Sequence, residues 1–190
     1  KYLKVPASKI EVIYNGISKQ FKSLPKILKK PLLLYAGVWR SHKNLTNLIK
    51  AFKILHEKYP ELQLIITGKP DPHYPEVKET VKKLKLQKSV IFPGLVSEKE
   101  LLRLYNEAII FTFPSLYEGF GMPPLEAMAC GTPVACSNSS SLPEICGKNN
   151  AIFFDPKNPK NIAEKIEVLY KDKALQQKLI KNGKAHVKQF

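Results

Sequence analysis

The chain has 190 residues, enough for one sizeable core, and one domain is the default expectation. Its 44 % apolar and 25 % charged residues are ordinary for a globular protein, and no apolar run reaches the roughly 18–20 residues that cross a bilayer. The net charge of +15 rests almost wholly on lysine, since Arg40 and Arg103 are the only arginines, and this pattern argues against a nucleic-acid surface built on bidentate arginine contacts and stacked aromatics.

Residues 1–30 read as the end of a preceding domain and an interdomain linker. No Met opens the chain, residues 1–4 look like the tail of a helix already under way, and no apolar h-region marks a signal peptide. A piece of a longer protein is expected, with a single domain over 31–190. That domain alternates strand and helix. Residues 32–36 form a short apolar run ending at Gly37, which predicts a buried strand. Leu45, Leu48, Ile49, Phe52 and Leu55 recur at helical spacing over 44–59, and Pro60 follows. A strand over 62–67 closes at Gly68; a helix over 75–86 and a strand over 89–92 come next. Ser97 with Glu100 three residues on predicts a capping box for a helix over 98–106. The pattern continues with a strand over 109–113, a helix over 123–129 and a strand over 133–136. A short helical stretch over 141–146, a strand over 151–154 and helices over 159–170 and 173–188 complete it.

Near-continuously apolar strands alternating with helices imply a parallel sheet covered on both faces. With right-handed crossovers this is an α/β, Rossmann-like doubly wound domain, whose ligands bind beyond the carboxyl ends of the strands. Cys130, Cys136 and Cys146 lack C-x-x-C spacing and read as buried thiols. Neither they nor His42, His56, His73 and His186 form a metal spacing, so no metal or other cofactor is expected.

Three loops after strands are candidates for chemistry. The first, 37–44, has Gly37 at the strand exit, Arg40 and Lys43 as cations, and a helix start beside them: the ingredients of a phosphate site, although taken alone an ordinary surface loop with a lysine is the better account. The second, 67–72, offers Gly68 and Lys69. The third, 114–127, places Glu118 before Gly119-Phe120-Gly121, with Pro123 and Pro124 suited to the first helical positions. Glu126 is expected in the first helical turn, where the dipole accounts for a carboxylate without any ligand; Glu118 has no such structural account.

The segment 113–134 resembles the Glu-x7-Glu signature of the family-4 retaining glycosyltransferases of GT-B fold, with Glu118 and Glu126 as the two glutamates. The likeness runs on through 137–144 and reaches back through 93–96 and 37–44 to 12–17, where that family's chain enters its C-terminal domain. It implies a sugar-nucleotide-binding domain that uses a donor such as GDP-mannose or UDP-glucose, with no metal. Glu118 would lie at the reacting centre. Gly37, Arg40, Lys43, Phe120, Gly121 and Met122 would hold the donor sugar and phosphates; Gly68, Lys69, Gly94, Leu95, Val96 and Glu126 would hold the nucleoside. Many members carry Arg directly after the first glycine; here that position is Val38, and either the nearest arginine, Arg40, takes its place or the grip rests on Lys43 and the helix amides alone.

The implied activity is hexosyl transfer, mannosyl or glucosyl, to a glycan or lipid-linked acceptor in polysaccharide synthesis. The acceptor site would belong to an N-terminal domain absent from this chain, which is expected to be inactive alone. A non-catalytic sugar-nucleotide-binding module and an epimerase of the same fold are the alternatives. A cytoplasmic location is expected. The scattered lysines fit solvated faces, or attraction of the domain to the inner face of the cell membrane.

Overall fold

The computed structural model describes residues 5–190; the helix tail expected over 1–4 lies outside them. Strands and helices alternate as β1 (Lys30–Tyr35), α1 (Leu45–Lys58), β2 (Gln63–Thr67), α2 (Glu76–Lys83), β3 (Val90–Gly94), α3 (Glu98–Glu107), β4 (Ala108–Phe113), α4 (Met122–Ala129), β5 (Val134–Ser137), α5 (Leu142–Cys146), β6 (Ile152–Phe154), α6 (Pro159–Lys171) and α7 (Lys173–His186). Every element expected within the described residues is present. The largest shift has a local cause: α2 ends early because Lys85 adopts a left-handed φ of 58°. The Leu86 N–H then bonds back to the Val81 carbonyl, closing a Schellman turn.

The sheet has six strands in the order β3-β2-β1-β4-β5-β6, all paired in parallel. This is the doubly wound Rossmann order. β4 and β5 are buried along their whole length, which explains why they read as unbroken apolar runs. Pro93 is tolerated in β3 because that strand is an edge and lacks a second neighbour to feed. Helices α1, α2 and α6 pack together on one face, and α3, α4 and α7 on the other. Helix starts are fixed by short polar side chains: Ser97 Oγ accepts from the Glu100 N–H at 3.2 Å, Asn158 Oδ1 from Lys160 and Asn161, and Asp172 Oδ1 from Leu175.

Among the described residues before β1 there is no regular strand or α-helix, yet the second half of this segment is seated on the domain. Phe21 meets Tyr105 edge-on at 5.7 Å, and Asn106 accepts from the Leu24 N–H while donating to the Lys22 carbonyl. Cys130, Cys136 and Cys146 are buried and free. Among the described residues no helix is long and apolar enough to cross a membrane.

Candidate functional site

β1 and β4 are neighbours in the sheet but lie two strands apart in sequence, and the strand order reverses between them. That is the switch point at which an open parallel sheet leaves a crevice above its carboxyl edge. The loops leaving the two strands carry Lys43 and Glu118. Lys43 ends a 3-10 turn, Ser41–Lys43, and the Leu116 N–H donates to the His42 carbonyl at 2.8 Å, tying loop to loop. Asn44, buried and left-handed at φ 59°, donates from Nδ2 to the carbonyls of Pro114 (3.0 Å) and Pro156 (2.7 Å). It thus pins the exits of β1, β4 and β6 to each other.

Lys43 Nζ and Glu118 Oε1 are 2.7 Å apart, with 13 % and 12 % of their side chains exposed. Beneath them lies an aromatic floor. Lys43 Nζ sits 5.5 Å from the centre of the Phe113 ring, and Tyr35 stacks on Phe113 at 5.9 Å. Burial first, and the charge of Glu118 second, push the Tyr35 phenol well up from its ordinary range. It therefore stays neutral, its hydroxyl donating to the Val38 carbonyl at 3.2 Å.

The glycine loop after Glu118 is shaped by a serine run. Ser140 Oγ accepts from the Glu118 N–H at 2.9 Å; Ser141 Oγ reaches the carbonyls of Glu118 (3.1 Å) and Phe120 (2.8 Å). Ser139 Oγ donates to the Ser115 carbonyl. Among the described residues the Phe120 and Gly121 N–H groups meet no acceptor, and Met122, as the first residue of α4, has none within the helix. Gly121 turns at φ 112°, which strains any side chain, and a Cβ there would stand 2.7 Å from Leu142 Cδ2 and displace it. The result is three donors beside a cation and a carboxylate.

The remaining expected residues lie along the same rim, over β2 and β3. Gly68 takes φ 106°, and a Cβ on it would stand 1.9 Å from the Gly37 carbonyl oxygen; its N–H donates to the Gly94 carbonyl at 2.8 Å. Close backbone approach at Gly68 thus links three strand exits. Arg40 and Lys69 line one cleft of about 330 Å³ with Val38, Trp39 and His73, and neither Lys43 nor Glu118 is among the residues that line it. Leu95 is 74 % exposed, and Val96 is half-buried against the core.

Glu126 corrects one expectation. α4 begins at Met122, so the carboxylate falls in the second turn and its helix has no acid in the first. Stabilisation by the free end of the dipole fades within one turn and does not account for it. Glu126 instead accepts from the Tyr105 hydroxyl at 2.7 Å, and burial raises its pKa, partly offset by that hydrogen bond. Asn44 and Ser139 to Ser141 were not anticipated as site residues. The signal for Asn44 was an Asn directly before a helix; for the serines it was only their place in the 137–144 likeness.

A doubly wound sheet with a lysine, a glutamate and open amides gathered at its switch point defines an α/β domain of ligand-binding type. The family model for glycosyl transferases group 1 matches residues 16–186, and the chain belongs to that family. It is 34 % identical over 161 residues to O-antigen chain mannosyltransferase B of Escherichia coli, covering 83 % of this chain and 41 % of the relative. Likewise it is 35 % identical over 161 residues to O-antigen chain mannosyltransferase RfbU of Salmonella typhimurium, covering 85 % and 44 %. The chain therefore spans less than half of these relatives. Among solved structures, the C-terminal domain of a group 1 glycosyl transferase, LpcC of Francisella tularensis, superposes with a TM-score of 0.80 at 29 % identity, over 91 % of this chain and 97 % of that one. The fold is that of a GT-B C-terminal domain. Anabaena HepE, crystallised with UDP and glucose, shares the fold at a TM-score of 0.85 and 21 % identity, with 97 % of this chain and 53 % of that one covered.

Proposed function

We propose that this chain is the donor-binding domain of a retaining mannosyltransferase that takes a nucleoside-diphosphate mannose and serves the synthesis of a surface polysaccharide. The observation that carries this reading is the Lys43–Glu118 contact of 2.7 Å at the switch point, beside the open amides of Phe120, Gly121 and Met122. The mannosyltransferases among the relatives support the choice of sugar.

Breaking a glycosyl–phosphate bond leaves positive charge on the sugar carbon and negative charge on the departing diphosphate. Lys43 and the amides at the start of α4 stabilise the diphosphate, and they are in place before the reaction. Gly37 lets the backbone approach it. Glu118 lies where the sugar would sit, and its carboxylate holds hydroxyls and favours an oxocarbenium-like transition state. Arg40 and Lys69, sharing one cleft, extend the positive charge towards the nucleoside, which rests on Gly68, Gly94, Leu95 and Val96 with Glu126 on its ribose. The acceptor is bound by the part of the relatives that this chain does not span, so the chain alone captures donor without transferring it. Its lysine excess suits work at the cytoplasmic face of a membrane bearing anionic lipid.

Calorimetry of the chain against UDP, GDP and ADP, with and without magnesium, tests this. One nucleotide should bind in the micromolar range, and Lys43→Ala should weaken it by about 10- to 100-fold, the worth of a charged hydrogen bond. Absence of binding at millimolar nucleotide, or an unaffected Lys43→Ala, would sink the proposal.

A further inference from the structure

Three segments distant in sequence meet on the outer side of the glycine loop. The Tyr14 ring lies 6.1 Å from Phe120 and 5.6 Å from Phe190, and Phe120 and Phe190 meet edge-on at 6.0 Å. Tyr14 donates its hydroxyl to Glu144 Oε1 at 2.9 Å. The Ile17 N–H donates to the Phe190 carbonyl, and a Cβ on Gly16 would stand 2.9 Å from that same oxygen. Phe190 is backed by the His186 ring at 5.3 Å, and His186 Nε2 is 2.7 Å from the Ile145 carbonyl. Glu144 and Ile145 belong to α5, whose Leu142 limits the space at Gly121 and whose preceding Ser141 binds the Phe120 carbonyl. Phe120 is therefore held by its backbone from α5 and by its ring from Tyr14 and Phe190.

We propose that Tyr14 is a positioning residue for the Phe120, Gly121 and Met122 amides, coupling the place of segment 13–17 to the shape of the donor loop. The idea rests on the reading of those amides as donor contacts. Tyr14 is 45 % exposed and its neighbours Val12 and Ile13 are 70 % and 84 % exposed, so the segment is anchored at Ile17, which packs against the core, and at the clasp itself. Anything that pulls 13–17 away removes the ring support of Phe120 and loosens the loop; a filled loop in turn favours the seated segment, because coupling between two sites is reciprocal.

Amide hydrogen exchange at Glu118, Leu142 and Ile145, whose N–H groups are bonded to Ser140 Oγ and to the Ser139 and Ser141 carbonyls, alongside calorimetry with nucleoside diphosphate and nucleoside-diphosphate mannose, decides it. Tyr14→Ala should speed exchange there about 3- to 10-fold, the factor set by one lost aromatic contact, while α1 and β2 stay unchanged. It should weaken binding of the sugar nucleotide more than that of the bare nucleotide. Tyr14→Phe keeps the ring and should restore most of the protection. Gly16→Ala, which pushes on the Phe190 carbonyl without touching the tyrosine, should mimic Tyr14→Ala. Unchanged exchange at Glu118, Leu142 and Ile145 in both Tyr14→Ala and Gly16→Ala would overturn the coupling. Loosened exchange with unaltered sugar-nucleotide affinity would overturn the positioning role. A wild-type chain that binds no nucleotide would instead refute the proposed function, leaving the exchange data to judge the coupling.

Discussion

Asn44 offers the sharpest quantitative test of how the site is built. Its amide donates to the carbonyls of two buried prolines, Pro114 and Pro156, the second of which also accepts from Asn47 Nδ2 at 3.2 Å, and its backbone is left-handed at φ 59°. Replacing it by Gly keeps that backbone conformation and removes both hydrogen bonds, a loss of about 2 kcal/mol at about 1 kcal/mol each. The freer unfolded chain adds roughly 0.4–1 kcal/mol. Replacing it by Ala removes the same bonds and adds roughly 1–2 kcal/mol of left-handed strain. The expected order is therefore Ala worse than Gly, at about 3.5 against about 2.7 kcal/mol.

For a chain of this length each kcal/mol lowers the melting temperature by about 2–4 °C, so Asn44→Ala should melt about 7–14 °C below wild type. Urea titration followed by Trp39, which is 2 % exposed, measures both variants. Because Lys43 is the next residue, nucleotide affinity should fall as well. Losses under about 1 kcal/mol in both variants would mean that the two carbonyls find other donors and that Asn44 is no pin. Gly falling below Ala would mean that left-handed strain is not part of the account.

On the proposed function, Glu118→Ala in a chain spanning the full length of the relatives should lower turnover far more than nucleotide affinity, as measured by steady-state kinetics and calorimetry; equal turnover would remove it from the reaction. Glu126→Gln should stabilise the chain to urea at pH 7 and give no gain near pH 4. The reason is that a carboxyl with a raised folded pKa adds stability only below its ordinary value of 4.5, and loses it as pH climbs through the folded pKa. The same substitution should weaken nucleotide binding, and a variant both no more stable at pH 7 and unimpaired in binding would contradict both roles. Ser115 Oγ is buried without a partner among the described residues, so Ser115→Ala should raise stability by about 1 kcal/mol in the same titration; a clear loss would reveal an acceptor.

Local patterns made the sheet and helices legible, and long-range polar contacts set the limit. β1 and β4 could be read because a strand buried on both faces must be apolar throughout, and α1 because its buried Leu45, Leu48, Ile49, Phe52 and Leu55 recur at helical spacing. Lys43 and Glu118 stood out through glycine neighbours and charge. Asn44 did not, since its partners Pro114 and Pro156 lie 70 and 112 positions away and any residue supplies a carbonyl. The serine run was equally silent: its bonds to Glu118, Phe120 and Ser115 span 21 to 24 positions and follow from the pairing of β4 with β5. Glu126 was misjudged for a smaller reason. Placing the helix start one residue late, at Pro123 rather than Met122, moved the carboxylate into a first turn that it does not occupy.

On the proposed function, the pairing of Lys43 with Glu118 has a mechanistic use. With 13 % and 12 % of their side chains exposed, each charge is partly stripped of water and compensated mainly by the other. A neutral sugar gains nothing by entering, because Lys43 is already satisfied. A diphosphate, with more charge than one carboxylate and with the open amides of Phe120, Gly121 and Met122 to share, can draw the ammonium to itself. Glu118 is then left an anion without its partner, beside the carbon where positive charge develops on bond breaking. Donor capture and the arming of Glu118 become one event, so that substrate binding delivers stabilisation specific to the transition state.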